Sequence, residues 1–368
     1  MLQFQFQNTS LPALGMGCMR LPTIGGDDSK VDMDAARHMV AVAMEADINY
    51  FDTAWGYHHG HSEPVMGEIL KDYPRDRFYL ASKFPGYDLS NFGKVKDIFE
   101  AQLVRCQVDY FDFYLFHCLT DENIDAYLNP DFGVFQYLTE QKKLGRIRHL
   151  GFSSHCSLDT LRRFLDAYGE GLEFGQIQLN WLDYTFQNAK EKIDLLKDYG
   201  IPVWVMEPVR GGALVNLSPS HVARLNALRP HASMAEWAFR FLQTIPDVAL
   251  TLSGMSNEAQ LRENISIFSQ AEPLNQVEWD TLLGIADEMI AQKKLPCTAC
   301  RYCTNHCPQE LNIPALIERY NAHIADGAPL AIGEELSPAL CIGCQACEMV
   351  CPQNIKISEM MSRFAAKL

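Results

Sequence analysis

Eight of the chain's twelve cysteines fall in two copies of one spacing, Cys297-x2-Cys300-x2-Cys303-x3-Cys307-Pro308 and Cys341-x2-Cys344-x2-Cys347-x3-Cys351-Pro352. Three thiolates at such short, regular intervals wrap one iron–sulfur cubane. The fourth lies too far round to close on the same cluster and ligates the other. One [4Fe-4S] cluster is therefore expected to take Cys297, Cys300, Cys303 and Cys351, and the second Cys341, Cys344, Cys347 and Cys307. Zinc is the competing reading, and two copies of this spacing, each ending in Cys-Pro, argue against it.

A second chemistry is written near the other end. In Asn49-Tyr50-Phe51-Asp52-Thr53-Ala54-Trp55-Gly56-Tyr57, an apolar run ends in an acid and a glycine-bearing turn brings back a tyrosine. A phenol of pKa ~10 is a poor acid at neutral pH unless a cation stabilises its anion. Two later apolar runs end in suitable groups, one in Lys83 and one in His117. Lys83 supplies the cation, and Asp52 pairs with it and keeps it charged. Tyr57 then protonates a developing alkoxide while His117 aims the carbonyl oxygen. No side chain provides a hydride, so a nicotinamide cofactor is implied.

These residues need a scaffold that brings successive strand ends to one mouth. Apolar runs at residues 14–18, 78–83, 111–116, 148–153, 174–179, 203–207 and 248–253, with the run closing on Asp52, make eight. Amphipathic helical patterns lie between them, such as Met33, Ala36, Met39, Val40 and Ala43 behind a cap at Asp32 or Asp34. Eight βα units with near-continuous apolar strands predict a closed (β/α)8 TIM barrel, an α/β fold with its chemistry at the carboxyl rim. Phe4 to Gln7 alternates as one arm of a leading hairpin. The composition changes near Ala291, predicting a barrel over 1–290 and a small cluster-binding domain over 291–368 that packs on it.

Composition narrows the class further. A net charge of -15 disfavours nucleic acid and anionic membranes. No apolar run approaches the ~20 residues of a membrane span. Residues 1–10 lack the charged start and apolar core of a leader, and the cysteines suit reduced thiolates, so the expected compartment is the cytoplasm.

In order and spacing, Phe51-Asp52-Thr53-Ala54-x-x-Tyr57, Ala81-Ser82-Lys83 and Phe116-His117 resemble the tetrad of the aldo-keto reductase family. The resemblance covers about residues 1–290. It takes in Leu11-Pro12-Ala13-Leu14-Gly15-Met16-Gly17, Gly151-Phe152-Ser153-Ser154, Gln176-Ile177-Gln178-Leu179-Asn180 and Leu261-Arg262-Glu263-Asn264. It implies an NAD(P)H-dependent oxidoreductase acting on a small carbonyl or alcohol. Ser153, Ser154 and Gln176 would hold the nicotinamide carboxamide, and Gly254, Ser256, Gln260 and Asn264 the adenosine end. Gly17, Met206, Pro208 and Arg210 complete the implied cofactor contacts. Met206 stands where many relatives stack an aromatic on the nicotinamide, and a thioether partly substitutes. No arginine stands at Ser256 or Gln260 to grip a 2′-phosphate, and Arg262 and Arg210 are out of register. NADP and NAD both remain open, with NADP slightly preferred.

The cysteine tail resembles a bacterial two-cluster ferredoxin of α+β fold, with a long insert over residues 309–340 that is partly helical. Clusters move single electrons and nicotinamide moves hydride. A flavin would join the two, but no flavin fingerprint is present. The clusters are then structural or exchange electrons with a redox protein partner. The alternatives are an electron-transfer protein whose barrel docks or senses nicotinamide, and a coupled enzyme passing single electrons to substrate. His58, His59 and His61 read as a polar loop shaping the mouth, with a bound metal as the sharper alternative. Cys18, Cys118 and Cys156 near strand ends read as small buried hydrophobes, or as a third metal or redox site.

Overall fold

The computed structural model describes residues 1–329 and 337–368. By spatial compactness the described chain divides into two units. The first is Met1–Pro208 with Ala232–Asn275, and the second is Val209–His231 with Gln276–Leu368.

The first unit opens with an antiparallel hairpin, β1 (Gln3–Phe6) and β2 (Thr9–Pro12). The eight barrel strands follow: β3 (Leu14–Gly17), β4 (Tyr50–Asp52), β5 (Tyr79–Phe84), β6 (Phe111–Leu119), β7 (Ile147–Ser154), β8 (Phe174–Gln178), β9 (Val203–Met206) and β10 (Val248–Ser253). Each pairs in parallel with the next, and β10 returns to β3, so the barrel closes. Strands such as β6 are buried along their whole length, which is why they read as continuous apolar runs.

Phe6 and Leu11 of the hairpin belong to one core cluster with Tyr50, Phe113, Phe174 and Trp204 from inside the barrel. The Phe6 ring lies 5.1 Å from Trp204 and 5.9 Å from Phe113. Burying one such ring is worth ~1.5–3 kcal/mol. At Gly151 of β7, a Cβ would stand 2.5 Å from the Phe174 carbonyl oxygen, so only glycine lets β7 and β8 approach this closely. The helices start where side-chain caps predict them. Asp32 caps Met33–Glu45, Ser157 caps Leu158–Tyr168 and Asn257 caps Glu258–Ile267.

In the second unit, Glu288 of helix Gln276–Ala291 accepts from Arg224 at 2.6 Å and pairs with His221 at 3.0 Å, both on helix Pro219–Leu228. Arg229 and Glu278 add a further pair at 3.0 Å. The sequence reading assigned both helices to the barrel. Spatially they group with the tail.

The tail core gathers Leu311, Leu316, Ile317, Ile357, Met361 and Phe364 around Cys303 and Cys347. A core this small gains from a metal staple. The expected insert helix is present at Ile313–Asp326, capped by Asn312, with Gly327 at φ 64° ending it. Residues 330–336 of the insert lie outside the described residues. The helical side of the expected α+β tail is present, and no strand is assigned among its described residues.

Candidate active site

β4 is only three residues long, and Asp52 is its last. β5 carries Lys83 beside it, one residue before the strand's end. The Lys83 ammonium is fully buried and spends its three donors locally. It donates to Asp52 Oδ1 at 2.6 Å, to the Thr53 carbonyl at 2.7 Å and to Tyr57 Oη at 3.3 Å. The same nitrogen lies 4.8 Å from the centre of the Tyr57 ring. Burial pushes the Asp52 carboxyl up from its ordinary range, and the Lys83 charge pulls against it.

His117 does not end its strand as expected. β6 runs on to Leu119, and its register against β7 shifts between Phe116 and Leu119, with Cys118 at φ 57°. This is a β-bulge, a local device for re-aiming a side chain at the rim. Three of its backbone polar groups are held by side chains. The Cys118 amide donates to Ser153 Oγ at 2.8 Å, Asn123 Nδ2 donates to the Cys118 carbonyl at 2.8 Å, and Tyr127 Oη donates to the His117 carbonyl at 2.7 Å.

Burial and the Lys83 charge hold His117 well below the ordinary imidazole range, so the ring is neutral at physiological pH. It packs edge-on against Tyr57 at 6.0 Å and against Tyr87 at 5.3 Å. Tyr87 was not anticipated. Its hydroxyl occupies the space beside Gly56, where a Cβ would lie 2.3 Å from Tyr87 Oη, so a larger residue there would displace the Tyr87 ring.

Behind Lys83 lies a polar network that sequence reasoning also missed. Buried Glu63 accepts from Ser82 Oγ and from Gln102 Nε2, both at 2.7 Å. Gln102 Nε2 also lies 3.0 Å from the Lys83 carbonyl, and Tyr114 Oη donates to Gln102 Oε1 at 2.5 Å. The network fixes the strand backbone that presents the ammonium. Its only trace in the sequence is a polar pair, Ser62-Glu63, opening helix Ser62–Leu70.

The expected nicotinamide contacts sit on the same rim. Ser153 and Ser154 end β7, Gln176 lies in β8 and Met206 ends β9. Gln176 Oε1 is buried without a hydrogen-bond partner among the described residues, while its Nε2 reaches Met206 Sδ at 3.7 Å. An orphaned buried acceptor suits the amide hydrogens of a carboxamide, so these residues fit a nicotinamide. Gly17 ends β3 beside Ser253 and Gly254.

At the expected adenosine end, Gln260 Oε1 accepts the Ser256 amide at 2.8 Å, and Asn264 donates to Ser253 Oγ at 3.0 Å. Arg262 is held by Glu258 at 2.6 Å, and Glu258 also meets His38 at 2.9 Å. Pro208 closes the first unit's long segment, and buried Arg210 belongs to the second unit.

The eight clustered cysteines line two cavities. Cys297, Cys300, Cys303 and Cys351 surround one, and Cys307, Cys341, Cys344 and Cys347 the other. Each set spans both sequence motifs in the crosswise combination expected from spacing. Donors spread around a cavity suit a cubane, whereas a single ion needs them converged on one point.

His58 is no metal ligand, because both ring nitrogens are engaged with the loop at residues 21–28. Cys18, Cys118 and Cys156 are buried. Burial pushes the Cys18 thiol up and the Cys156 thiol to about 11, which leaves both protonated. No three His, Cys, Asp or Glu among the described residues stand close enough for one metal ion. No described helix is long and apolar enough to cross a membrane.

A closed (β/α)8 barrel with a buried Asp–Lys–Tyr–His cluster at its carboxyl rim defines an oxidoreductase acting on carbonyl and alcohol groups. Comparison with known proteins agrees. The chain belongs to the aldo/keto reductase family, whose model matches residues 13–287, and a 4Fe-4S dicluster domain matches residues 296–355.

Among its relatives is the NADH-specific methylglyoxal reductase of Escherichia coli (strain K12), 27% identical, with 70% of this chain and 90% of the relative covered. The L-galactose dehydrogenase of Arabidopsis thaliana is 24% identical, with 73% and 88% covered. Among solved structures, the holo form of the aldo-keto reductase AKR11C1 from Bacillus halodurans superposes with a TM-score of 0.64 at 25% identity, covering 77% of this chain and 96% of that one. An aldo-keto reductase from Klebsiella pneumoniae in complex with NADPH shares the fold, with a TM-score of 0.60 at 19% identity over 78% and 96%.

Proposed function

We propose that this chain reduces a small carbonyl compound with NAD(P)H, or runs the reverse alcohol oxidation, and that Tyr57 is its general acid. The observation that carries this reading is the Lys83 ammonium, 2.6 Å from Asp52 Oδ1 and 3.3 Å from Tyr57 Oη. The ammonium stabilises the phenolate that Tyr57 leaves after giving up its proton, so transfer to a developing alkoxide is favoured. Asp52 keeps that ammonium charged in a site with almost no water access. Neutral His117 donates a hydrogen bond to the carbonyl oxygen without competing for the proton. Gln176, Ser153 and Ser154 would hold the carboxamide of a nicotinamide, which supplies the hydride when bound.

At the adenosine end we favour NADH. Arg262 is tied to Glu258, and Ser256 and Gln260 offer no positive charge to a 2′-phosphate. The Escherichia coli relative is described as NADH-specific. The preference for NADP drawn from sequence gives way on these two counts.

We assign residues 291–368 to a separate cluster-binding domain carrying the two [4Fe-4S] groups on the crosswise cysteine sets. Both cavities share Ile357 as a wall, which supports a reading with the clusters side by side, as an electron relay requires. A redox protein partner is the second reading that this adjacency favours.

The test of the first reading is Tyr57→Phe in the cluster-loaded enzyme. Carbonyl turnover should vanish while the iron–sulfur absorption stays unchanged, and retained turnover would exclude Tyr57 as the acid. Anaerobic addition of NADH tests the second. Bleaching of the clusters supports a relay, and unchanged absorption supports a structural role.

A further inference from the structure

We infer that His58 is a positioning residue that sets where the Tyr57 phenol stands, a step that rests on the reading of Tyr57 as general acid. His58 follows Tyr57 directly, at φ 51° and ψ 46°, and His59 repeats the left-handed conformation at φ 55° and ψ 30°. Two successive non-glycine residues in this region are held only where their surroundings demand it. Here the demand comes from the His58 ring, whose side chain is 1% exposed. Its Nε2 accepts the Leu21 amide at 3.1 Å, and its Nδ1 donates to the Asp28 carbonyl at 3.0 Å, with Asp28 Oδ1 at 3.4 Å. Only the neutral ring protonated on Nδ1 makes both bonds at once.

These bonds fix the turn that carries Tyr57. On its far side, Ser62 Oγ donates to the Cys18 carbonyl at 3.0 Å and meets Thr53 Oγ1 at 2.8 Å. Thr53 is the residue whose carbonyl accepts from Lys83. The turn is therefore bolted to the segment after β3 at two points, one directly after Tyr57 and one at the first residue of helix Ser62–Leu70. Only the His58 latch is adjacent to the phenol. Without it, the turn after Tyr57 keeps its own backbone bonds, such as the His61 amide to the Tyr57 carbonyl, but loses its tie to residues 21–28.

A glycine at position 58 suits the backbone angle but removes both bonds, which separates positioning from strain. For His58→Gly in the cluster-loaded enzyme, kcat should fall about 100-fold with little change in the KM for dinucleotide, the scale that an ~1 Å misplacement of a reacting group produces. Added imidazole should recover part of that loss. An ultraviolet tyrosinate titration supplies a readout independent of turnover. The transition missing from Tyr57→Phe should move to higher pH in His58→Gly, because the phenol has drawn away from the ammonium. Should His58→Gly fail to fold, His58→Asn tolerates the left-handed backbone and carries the same readouts.

An unmoved tyrosinate transition in a folded variant overturns the positioning role, whatever the turnover. A moved transition in a chain whose wild type reduces no carbonyl keeps the positioning role and discards the reductase reading.

Discussion

The backbone amide of Cys118 donates to the hydroxyl of Ser153 at 2.8 Å, across the register shift between β6 and β7. On the proposed reading, one hydroxyl serves two ends of the chemistry. It closes the bulge that aims His117, and it stands where a nicotinamide carboxamide would bind. Ser153→Ala should leave a buried amide unsatisfied and cost about 1–3 kcal/mol of stability. Both kcat and the KM for dinucleotide should worsen. A serine that served the cofactor alone would raise KM and spare the unfolding midpoint.

The buried Asp52–Lys83 pair makes a separate prediction. Removing one partner strands a charge in the core, a loss of ~3–5 kcal/mol, whereas removing both strands nothing. Asp52→Asn and Lys83→Met should each lower the denaturant midpoint read on the buried tryptophans Trp181, Trp204 and Trp237. The double variant should be less destabilised than the two singles summed. All three should lose carbonyl turnover, so stability and activity part company in the double variant.

The sequence carried the parts of this site whose chemistry is stated by residue type at a local spacing. Asp52, Tyr57 and Lys83 fall at or near strand ends because apolar runs mark strands, and the cysteine motifs are complete within eleven residues each. Features made by distant partners were not legible. The bulge at Cys118 depends on Ser153, Asn123 and Tyr127, none of which announces a bulge. Gln102 and Tyr114 look like ordinary helix and strand residues until Gln102 is seen to join Glu63, Tyr114 and the Lys83 carbonyl. Helix Pro219–Leu228 reads as one more barrel helix, and only its pairing with Glu288 sets it apart.

The crosswise cysteine sets predict a pattern of metal loss. With both clusters bound, the chain holds about eight irons, four per cubane. Cys297→Ser and Cys351→Ser should each remove the same cluster, so the double variant should lose no more iron than either single. Cys297→Ser with Cys307→Ser should empty both sites. Iron analysis with electron paramagnetic resonance of the reduced protein reads the difference. A motif-by-motif assignment predicts the opposite, with Cys297 and Cys307 losing one cluster together.

On the proposed reading of the adenosine end, dinucleotide preference turns on which group holds Arg262. Glu258 takes its guanidinium at 2.6 Å and lies within 2.9 Å of His38, so a dinucleotide carrying a 2′-phosphate meets an acid where a cation would serve it. Glu258→Ala removes the repelling charge and releases Arg262 on the same helix, Glu258–Ile267. A charge-assisted hydrogen bond to phosphate is worth ~1.5–3 kcal/mol, which is about a 10- to 150-fold change in affinity. NADPH binding, followed by quenching of protein fluorescence, should tighten on that scale while NADH binding moves little. Gln260→Arg should act in the same direction, because it places a cation on the exposed first turn of the helix, two residues before Arg262. Equal gains for both dinucleotides would mean that Glu258 acts through loop stability and has no part in recognising the 2′ position.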